Sequence, residues 1–500
     1  IGGVRELKYK KILSLILSFA LVSLSLFLPP NFKAQALNEA DFSAFSHSDR
    51  PLIVVRGVDL GAFYTDFGSE KQAPALGELS AGKIVPAIFR GISRSVIGGS
   101  FDYFMDEVFL TVEDFLGKLA FDKNGSPVYD LGYKRFPLSV DNYYEELVVS
   151  GGHGAEEGIV KGAAERFGAE NVYYFTYDWR EDPRMVSDDL AVMVDRALAD
   201  HDCEKVNLIC ASMGGLETVA YFSKYGHNKV DKCVFLSAAF YGLYMVSDLF
   251  CGRVEIKAEN LYNFLLDKTG GNFALNVLLK ALKGMGVFKL VEFTARKIVE
   301  RYKQSLFDDL LTDMLATMPV WWALILPEDF EEAKEFLFAG REKEYAGILE
   351  IAEGLQEMMK ERDEILKEAE KDGVNFAVIS AYNRPAIPIY SRADANSDGG
   401  LETVMMSGGG NIAPYGRSLL GFLQGEYISP DGVIDASTCL FPDSAWFIKN
   451  GEHVGCSYGS QEAEFLFSLV EYKGSPTIYS FEKYPQFLLK DSEANLLPLQ

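Results

Sequence analysis

Residues 206–226 read VNLICASMGGLETVAYFSKYG. The segment opens on a short apolar run, VNLIC, of the length and composition of a fully buried strand. One residue later comes Ser212, followed by Met213, Gly214 and Gly215, and then a stretch in which Leu216, Val219 and Ala220 recur at helical spacing. A serine between a strand and a helix sits on a sharp turn. Such a turn forces a strained backbone on the serine and requires tiny residues two positions to either side. Gly214 meets that requirement on the later side, and Cys210, where glycine is usual, is still small. At the helix start, orphan N–H groups and the helix dipole face whatever reacts at the serine. Ser212 is therefore a candidate nucleophile, with the Met213 N–H as a candidate oxyanion donor.

Outward from this segment, apolar β-branched runs alternate with amphipathic stretches: PLIVV at 51–55, VYYFT at 172–176, CVFLS at 233–237, FAVIS at 376–380 and WFIK at 446–449. Alternation of this kind predicts an α/β fold with a mostly parallel sheet covered by helices. Between Gly242 and Gly373 the strand pattern stops and helical periodicity takes over, notably over 273–302 and 355–371. The expected organisation is a leader at 1–36, a first part of the core at 37–242, a large helical cap insertion at 243–372, and a second part of the core at 373–500. A further irregular insertion, from Phe63 to about Gly151, separates the first two strands.

Apolar residues make up 48% of the chain, with 36 Phe and 25 Tyr, enough to build a core and to exclude a mainly disordered polymer. The formal charge of −24 argues against a phosphate-binding surface, because nucleic acid is repelled by such a field, and nucleic acid is not an expected partner. Arg5, Lys8, Lys10 and Lys11 precede an uncharged run over 12–28, and Pro29, Pro30 and then Ala34-Gln35-Ala36 follow. This pattern predicts a secretory signal cut after Ala36, and a secreted or extracytoplasmic protein. An uncleaved membrane anchor is the alternative, because the run nearly reaches the ~20 residues that span a bilayer. Six cysteines suit an oxidising compartment, and Cys203 with Cys233, or Cys439 with Cys456, are candidate bridges. No C-x-x-C or zinc-spaced histidine cluster occurs, so neither a metal nor a cofactor is expected.

A serine nucleophile needs a base. Of five histidines, only His227 and His453 follow Ser212. His227 ends the helix that Ser212 begins, several turns away, whereas His453 follows WFIK in the loop NGEHVG, where a base emerges above the sheet. The acid that orients the base should leave the end of a strand between the two. Asp398, in NSDGG after FAVIS, is best placed. Asp431, Asp435 and Asp443 lie nearer the histidine; Asp443 precedes the last strand at the wrong edge, and Asp435 is the reserve. Asp394, Asn396, Asp398 and Gly399 imitate the start of a calcium loop, but Met405 stands where its bidentate carboxylate is required. A second oxyanion donor is expected after the first strand, from the N–H of Val58 or Asp59.

Tyr177, Asp178, Trp179 and Arg180 spell YDWR after a strand and about thirty residues before the serine, and Ser212 lies in ASMGG. Together with MPVWWALILP at 318–327, these residues resemble the lecithin:cholesterol acyltransferase family of α/β-hydrolases, in its bacterial-type members. The resemblance runs in order from Pro51 to about Val454, with YDWR its specific part. It implies the α/β-hydrolase fold with a helical cap, a triad matching Ser212, Asp398 and His453, and acyl esters bearing long chains. Ala211 stands where the family often has histidine, and Arg56-Gly57 where it has Pro-Gly. Within YDWR, the Asp and Arg can pair beneath the site floor while the indole packs on the neighbouring loop. Trp321 and Trp322 are candidate substrate-binding residues, lining an acyl pocket or touching a bilayer, with buried packing as the ordinary alternative.

The expected activity is therefore a secreted carboxylic-ester hydrolase, lipase or O-acyltransferase acting through an acyl-enzyme on lipid or phospholipid esters, with a membrane surface as a possible partner. An esterase for soluble or polysaccharide-linked short-chain esters, and a non-enzymatic binding protein on the same scaffold, are the competing readings.

Overall fold

In the computed structural model, residues 50–76, 117–150, 155–305, 312, 314–419, 421 and 425–500 are described. The expected leader at 1–36 lies outside them, as does part of the insertion between the first two strands. Eight strands form the central sheet: β1 (Leu52–Val55), β2 (Val172–Phe175), β3 (Val206–Ala211), β4 (Val230–Leu236), β5 (Asn375–Tyr382), β6 (Ala445–Lys449), β7 (Phe487–Lys490) and β8 (Leu496–Pro498). Their spatial order is β8-β7-β6-β5-β4-β3-β1-β2. Every pairing is parallel except that of β7 with β8. The chain is thus an α/β fold with a mostly parallel sheet. The two terminal strands escape the sequence pattern because FLLK and LLP are too short and too exposed on one side to read as buried strands.

The inner strands are buried along their length and successive residues face opposite sides, which puts a core on each face. Ile53, Val55, Leu208, Cys210, Cys233 and Phe235 point to one side; Leu52, Val54, Ile209, Ala211, Val234 and Leu236 point to the other. Helices α1 (Ala155–Phe167), α2 (Pro183–His201) and α3 (Gly214–Tyr225) connect the first strands. Asp182 caps α2 by accepting from the Arg184 N–H at 2.8 Å, and Pro183 fills the first turn, where no N–H is needed.

Between β4 and β5 the described chain is helical: α4 (Tyr244–Phe250), α5 (Ala258–Lys268), α6 (Phe273–Gly284), α7 (Val287–Ser305), α8 (Pro319–Leu324), α9 (Phe330–Phe338) and α10 (Ala346–Lys371). The periodic stretch at 273–302 is two helices, broken where Gly286 takes a φ of 76°. The charged helix expected at 355–371 begins earlier, at Ala346. Trp322 is fully buried inside this segment, stacked on Phe338 and edge-on to Phe250 and Phe330. Its N–H donates to the Ala316 carbonyl at 2.7 Å. That overturns the expectation that Trp322 contacts substrate: an indole closed in on every side is a packing residue.

The cysteines are a second correction. All six are free thiols. Cys233 lies against Cys210, sulfur to sulfur 3.7 Å, and not against Cys203, because β3 and β4 are neighbours with Cys203 outside their paired stretch.

A buried carboxyl stands one turn into α3. Glu217 is fully buried, and among the described residues neither side-chain oxygen has a hydrogen-bond partner. Burial pushes its pKa well above the ordinary value, and the charges of Asp182 and Glu181 push the same way. The folded protein therefore keeps a proton on Glu217 that the unfolded chain releases above roughly pH 4.3, so stability falls as pH rises through that window toward the raised folded value. Thermal unfolding of Glu217→Gln, which cannot ionise, should show a Tm advantage over the parent that widens between pH 5 and pH 8; a pH-independent gap would mean the carboxyl is paired.

Candidate active site

The strand order places the site. The chain runs up β1, outward to β2 and then back across to β3, so the topology reverses between β1 and β3. At such a reversal the loops leaving the carboxyl ends of the two strands diverge and leave a crevice. Val55 of β1 is opposite Cys210 of β3, a register that carries Gly57 up beside Ser212.

Ser212 stands at the turn with a φ of 51°, a left-handed conformation that a non-glycine residue holds only where its surroundings over-determine it. Its N–H donates to the Leu236 carbonyl at 3.1 Å, and its carbonyl accepts from Ala239 at 2.8 Å. Glycine is required around it. A Cβ on Gly214 would lie 2.5 Å from the Val55 carbonyl oxygen, and one on Gly57 would lie 2.6 Å from the Ser212 Cβ. Cys210 causes no clash at the turn, because its sulfur faces the core and accepts from the Thr218 hydroxyl at 3.0 Å.

The other two side chains arrive on loops from the neighbouring strand ends. His453 follows β6 in a loop fastened at several points: Asn383 donates to Asn450 (2.7 Å), Arg384 donates to the Gly451 carbonyl (3.0 Å), and Val454 N–H donates to the Ser237 hydroxyl (3.3 Å). Asp398 is buried. One of its oxygens accepts from the N–H groups of Gly400 and Leu401, both at 2.8 Å, and the other meets His453 Nδ1 at 2.7 Å. His453 Nε2 in turn lies 2.9 Å from Ser212 Oγ. The structure thus brings Ser212, His453 and Asp398 into one hydrogen-bonded series. His227 is not part of it and pairs with Asp372 at 3.1 Å. Asp435 accepts from Ser437, Asp431 from Tyr382 and Asp443 from Tyr427.

Burial of the His453 ring disfavours the imidazolium, but the Asp398 charge and hydrogen bond together with the charge of Glu156 outweigh it, so its pKa is raised. Glu156 escaped the sequence reading. It stands in the first turn of α1, and its carboxylate comes within 3.0 Å of the point a Cβ on Gly57 would occupy, the same point that crowds Ser212. The only available signal was an acid at the start of a helix after a glycine-rich run, which by itself marks an ordinary helix N-terminus.

YDWR fastens the loop after β1 from below. The Tyr177 hydroxyl donates to the Arg56 carbonyl at 2.8 Å, and the Trp179 N–H donates to the Asp59 carbonyl at 3.3 Å. Asp178 and Arg180 form a buried two-pronged ion pair, at 2.9 and 2.5 Å, and the guanidinium lies over the rings of Phe63 and Phe121. Breaking such a pair by removing one partner costs about 3–5 kcal/mol, so the motif is a rigid base. Val58 and Asp59, expected to supply an oxyanion donor, lie in the loop it holds. Met213 is buried at the start of α3. Trp321, half-buried, sits edge-on to Trp179 with ring centres 5.9 Å apart, which joins the helical segment to this base.

The chain matches no family model and no curated protein. Among the described residues one cluster, Cys251, Asp329 and Glu332, has a spacing that could hold a metal ion. Its carboxylates already pair with Arg253 and Arg392 (2.9 Å and 2.7 Å to Asp329), and burial pushes the Cys251 thiol up to about 12. Two guanidinium groups thus occupy the place of a cation.

The geometry makes a measurable claim about the imidazole. Both Asp398 and Glu156 stabilise the charged ring, so NMR titration of His453 should give a pKa above the ordinary ~6.5, lowered by Asp398→Asn and, to a smaller extent, by Glu156→Gln. An unchanged value in both variants would mean that neither carboxylate faces the ring.

Proposed function

We propose that the chain is a serine hydrolase or O-acyltransferase of the α/β-hydrolase class that cleaves or transfers acyl esters through an acyl-enzyme on Ser212. The observation that carries this reading is the series Asp398, His453, Ser212, with contacts of 2.7 and 2.9 Å, built at the carboxyl ends of the strands beside the topological reversal. His453 takes the Ser212 proton as Oγ attacks the ester carbonyl. Asp398 keeps the ring in the tautomer that presents Nε2 and stabilises the imidazolium that forms. The developing oxyanion is met by the Met213 N–H and by an N–H of Val58 or Asp59. His453 then returns the proton to the leaving alcohol, and a water or a second alcohol repeats the sequence in reverse on the acyl-Ser212 ester.

The helical segment at 243–372 acts in this reading as a cap that sets acyl-chain preference. Its support is the contact of Trp321 with Trp179 and the resemblance of YDWR and MPVWWALILP to the lecithin:cholesterol acyltransferase family. Lipid or phospholipid esters are the proposed substrates, outside the cytoplasm as the leader pattern suggests. Of the tryptophan pair, Trp321 alone is open enough to touch an acyl chain.

Ser212→Ala should abolish turnover of p-nitrophenyl butyrate and labelling by a fluorophosphonate while the protein stays folded. His453→Ala should lose about as much, with the double variant little worse, since the two groups act as a unit; strictly additive losses would mean that they serve separate steps. In the parent, kcat/KM should climb as pH rises through the raised His453 value, because only the neutral ring accepts the serine proton.

A p-nitrophenyl ester series should show turnover improving with chain length until the apolar site is full, each buried methylene being worth up to ~0.8 kcal/mol. Trp321→Ala should flatten that profile and spare acetate and butyrate esters. A parent that works best on acetate, with the profile unaltered in Trp321→Ala, would point to a soluble-ester substrate.

A further inference from the structure

Helices α6 and α7 are unlike the rest of the surface. They close on α5 around a small core of their own, made by Leu261, Leu265, Leu279, Leu282, Phe288 and Val291. That core uses only one side of α6. On its other side Phe273, Val277 and Leu278 are exposed, Phe273 to 82%, and Met285 stands at 70% just beyond the helix end. Phe273, Val277 and Ala281 recur every fourth residue, so the exposed groups form one stripe along the helix. Phe293 is a further exposed apolar group, on α7. The fold does not need this stripe, since the satellite core is complete without it, and exposed apolar surface gathered in one place marks a contact with a partner or a membrane.

Charge says which. Residues 273–301 contain six lysines and arginines against two glutamates, in a chain whose formal charge is −24. Lys280, Lys289, Arg296 and Lys297 are all exposed, and Arg296 lies over the Phe293 ring. Lys280 stands beside the stripe on the same helix, whereas Lys283 pairs with Glu259 of α5 at 2.8 Å. An amphipathic helix with an apolar face, cations at its margin and long side chains able to keep their charged ends in the headgroups is built to lie in the plane of an anionic bilayer. A second copy of the chain is a poor occupant, since its own stripe has the same positive sign and would be repelled. The geometry is directional, because this face carries an excess of cations in a chain that is acidic overall.

We propose that the α6–α7 hairpin is a docking surface for anionic lipid bilayers, with Phe273, Val277, Leu278 and Phe293 entering the interface and Lys280 and Lys289 meeting its headgroups. The docking goes beyond the ester chemistry proposed above and does not depend on Ser212, so it is read by binding rather than by turnover. The full chain is floated at low ionic strength with vesicles of phosphatidylcholine alone and of phosphatidylcholine mixed with phosphatidylglycerol. The parent should bind the mixed vesicles roughly tenfold or more tightly than the neutral ones, and added salt should remove the difference. Phe273→Ser combined with Val277→Ser and Phe293→Ser should lose binding to both, and Lys280→Glu with Lys289→Glu should lose only the anionic preference. Because all five side chains are exposed, circular dichroism and p-nitrophenyl butyrate turnover should stay at parent values. Undiminished flotation of the triple serine variant, or no flotation of the parent on either vesicle, would overturn the proposal. So would a parent that sediments as a dimer while the triple variant is a monomer.

Discussion

The close approach of β1 and β3 at their carboxyl ends is the constraint on which the site depends. Ser212 can hold a φ of 51° only because its N–H and carbonyl are taken up by Leu236 and Ala239 and because Gly57 and Gly214 leave room on either side. Strain of this kind, of order 1–3 kcal/mol, is sustained by the strands beneath, whose residues at this point are completely buried. It also explains why Cys210 is tolerated. The requirement at that position is clearance, and a sulfur turned into the core beside Thr218 and Cys233 provides it.

Around that fixed turn, the loops are held by polar contacts as well as by apolar residues such as Val454 and Trp179 that enter the cores. The Asp398 carboxylate is saturated by two N–H groups and the imidazole, so its burial carries no unpaired oxygen. The loop bearing His453 is tied to residues that leave β5 and β4, and the loop after β1 is tied to YDWR. The His453 loop and the loop after β1 are thus braced by neighbours that are distant in sequence. Glu217 differs beneath this arrangement: among the described residues its carboxyl has no hydrogen-bond partner, and burial pushes its pKa well above the ordinary value.

The helical segment between β4 and β5 has two parts with different physics. Around Trp322 it is an aromatic core, closed internally by the Leu243 N–H to Leu324 carbonyl bond at 2.8 Å and joined to the main body where Trp321 meets Trp179 edge-on. Around α6 and α7 it is a small satellite that exposes apolar groups and reverses the sign of the charge. In the proposed docking, this asymmetry turns the α6–α7 face toward an anionic interface.

The α/β class was legible because buried parallel strands write continuous apolar runs, and the serine turn because strand, small residues and helix follow one another without interruption in VNLICASMGGLETVAYF. His453 could be singled out because few histidines follow Ser212, and chain order then narrowed the acid to a handful of aspartates. What tertiary structure alone decided is everything set by distance across the sheet. The β5 and β6 loops had to be folded to show that Asp398, and not Asp435, reaches the imidazole. Adjacent tryptophans in one short helix look alike in sequence, yet a turn of about 100° between them buries Trp322 and leaves Trp321 half-open. Cys233 finds Cys210 rather than Cys203 because pairing follows strand register, and Glu156 enters the site from a helix start that carries no mark of its destination. Local pattern determines which elements form, because propensity and burial act over a few residues; which side chains meet is fixed by the packing of elements hundreds of residues apart.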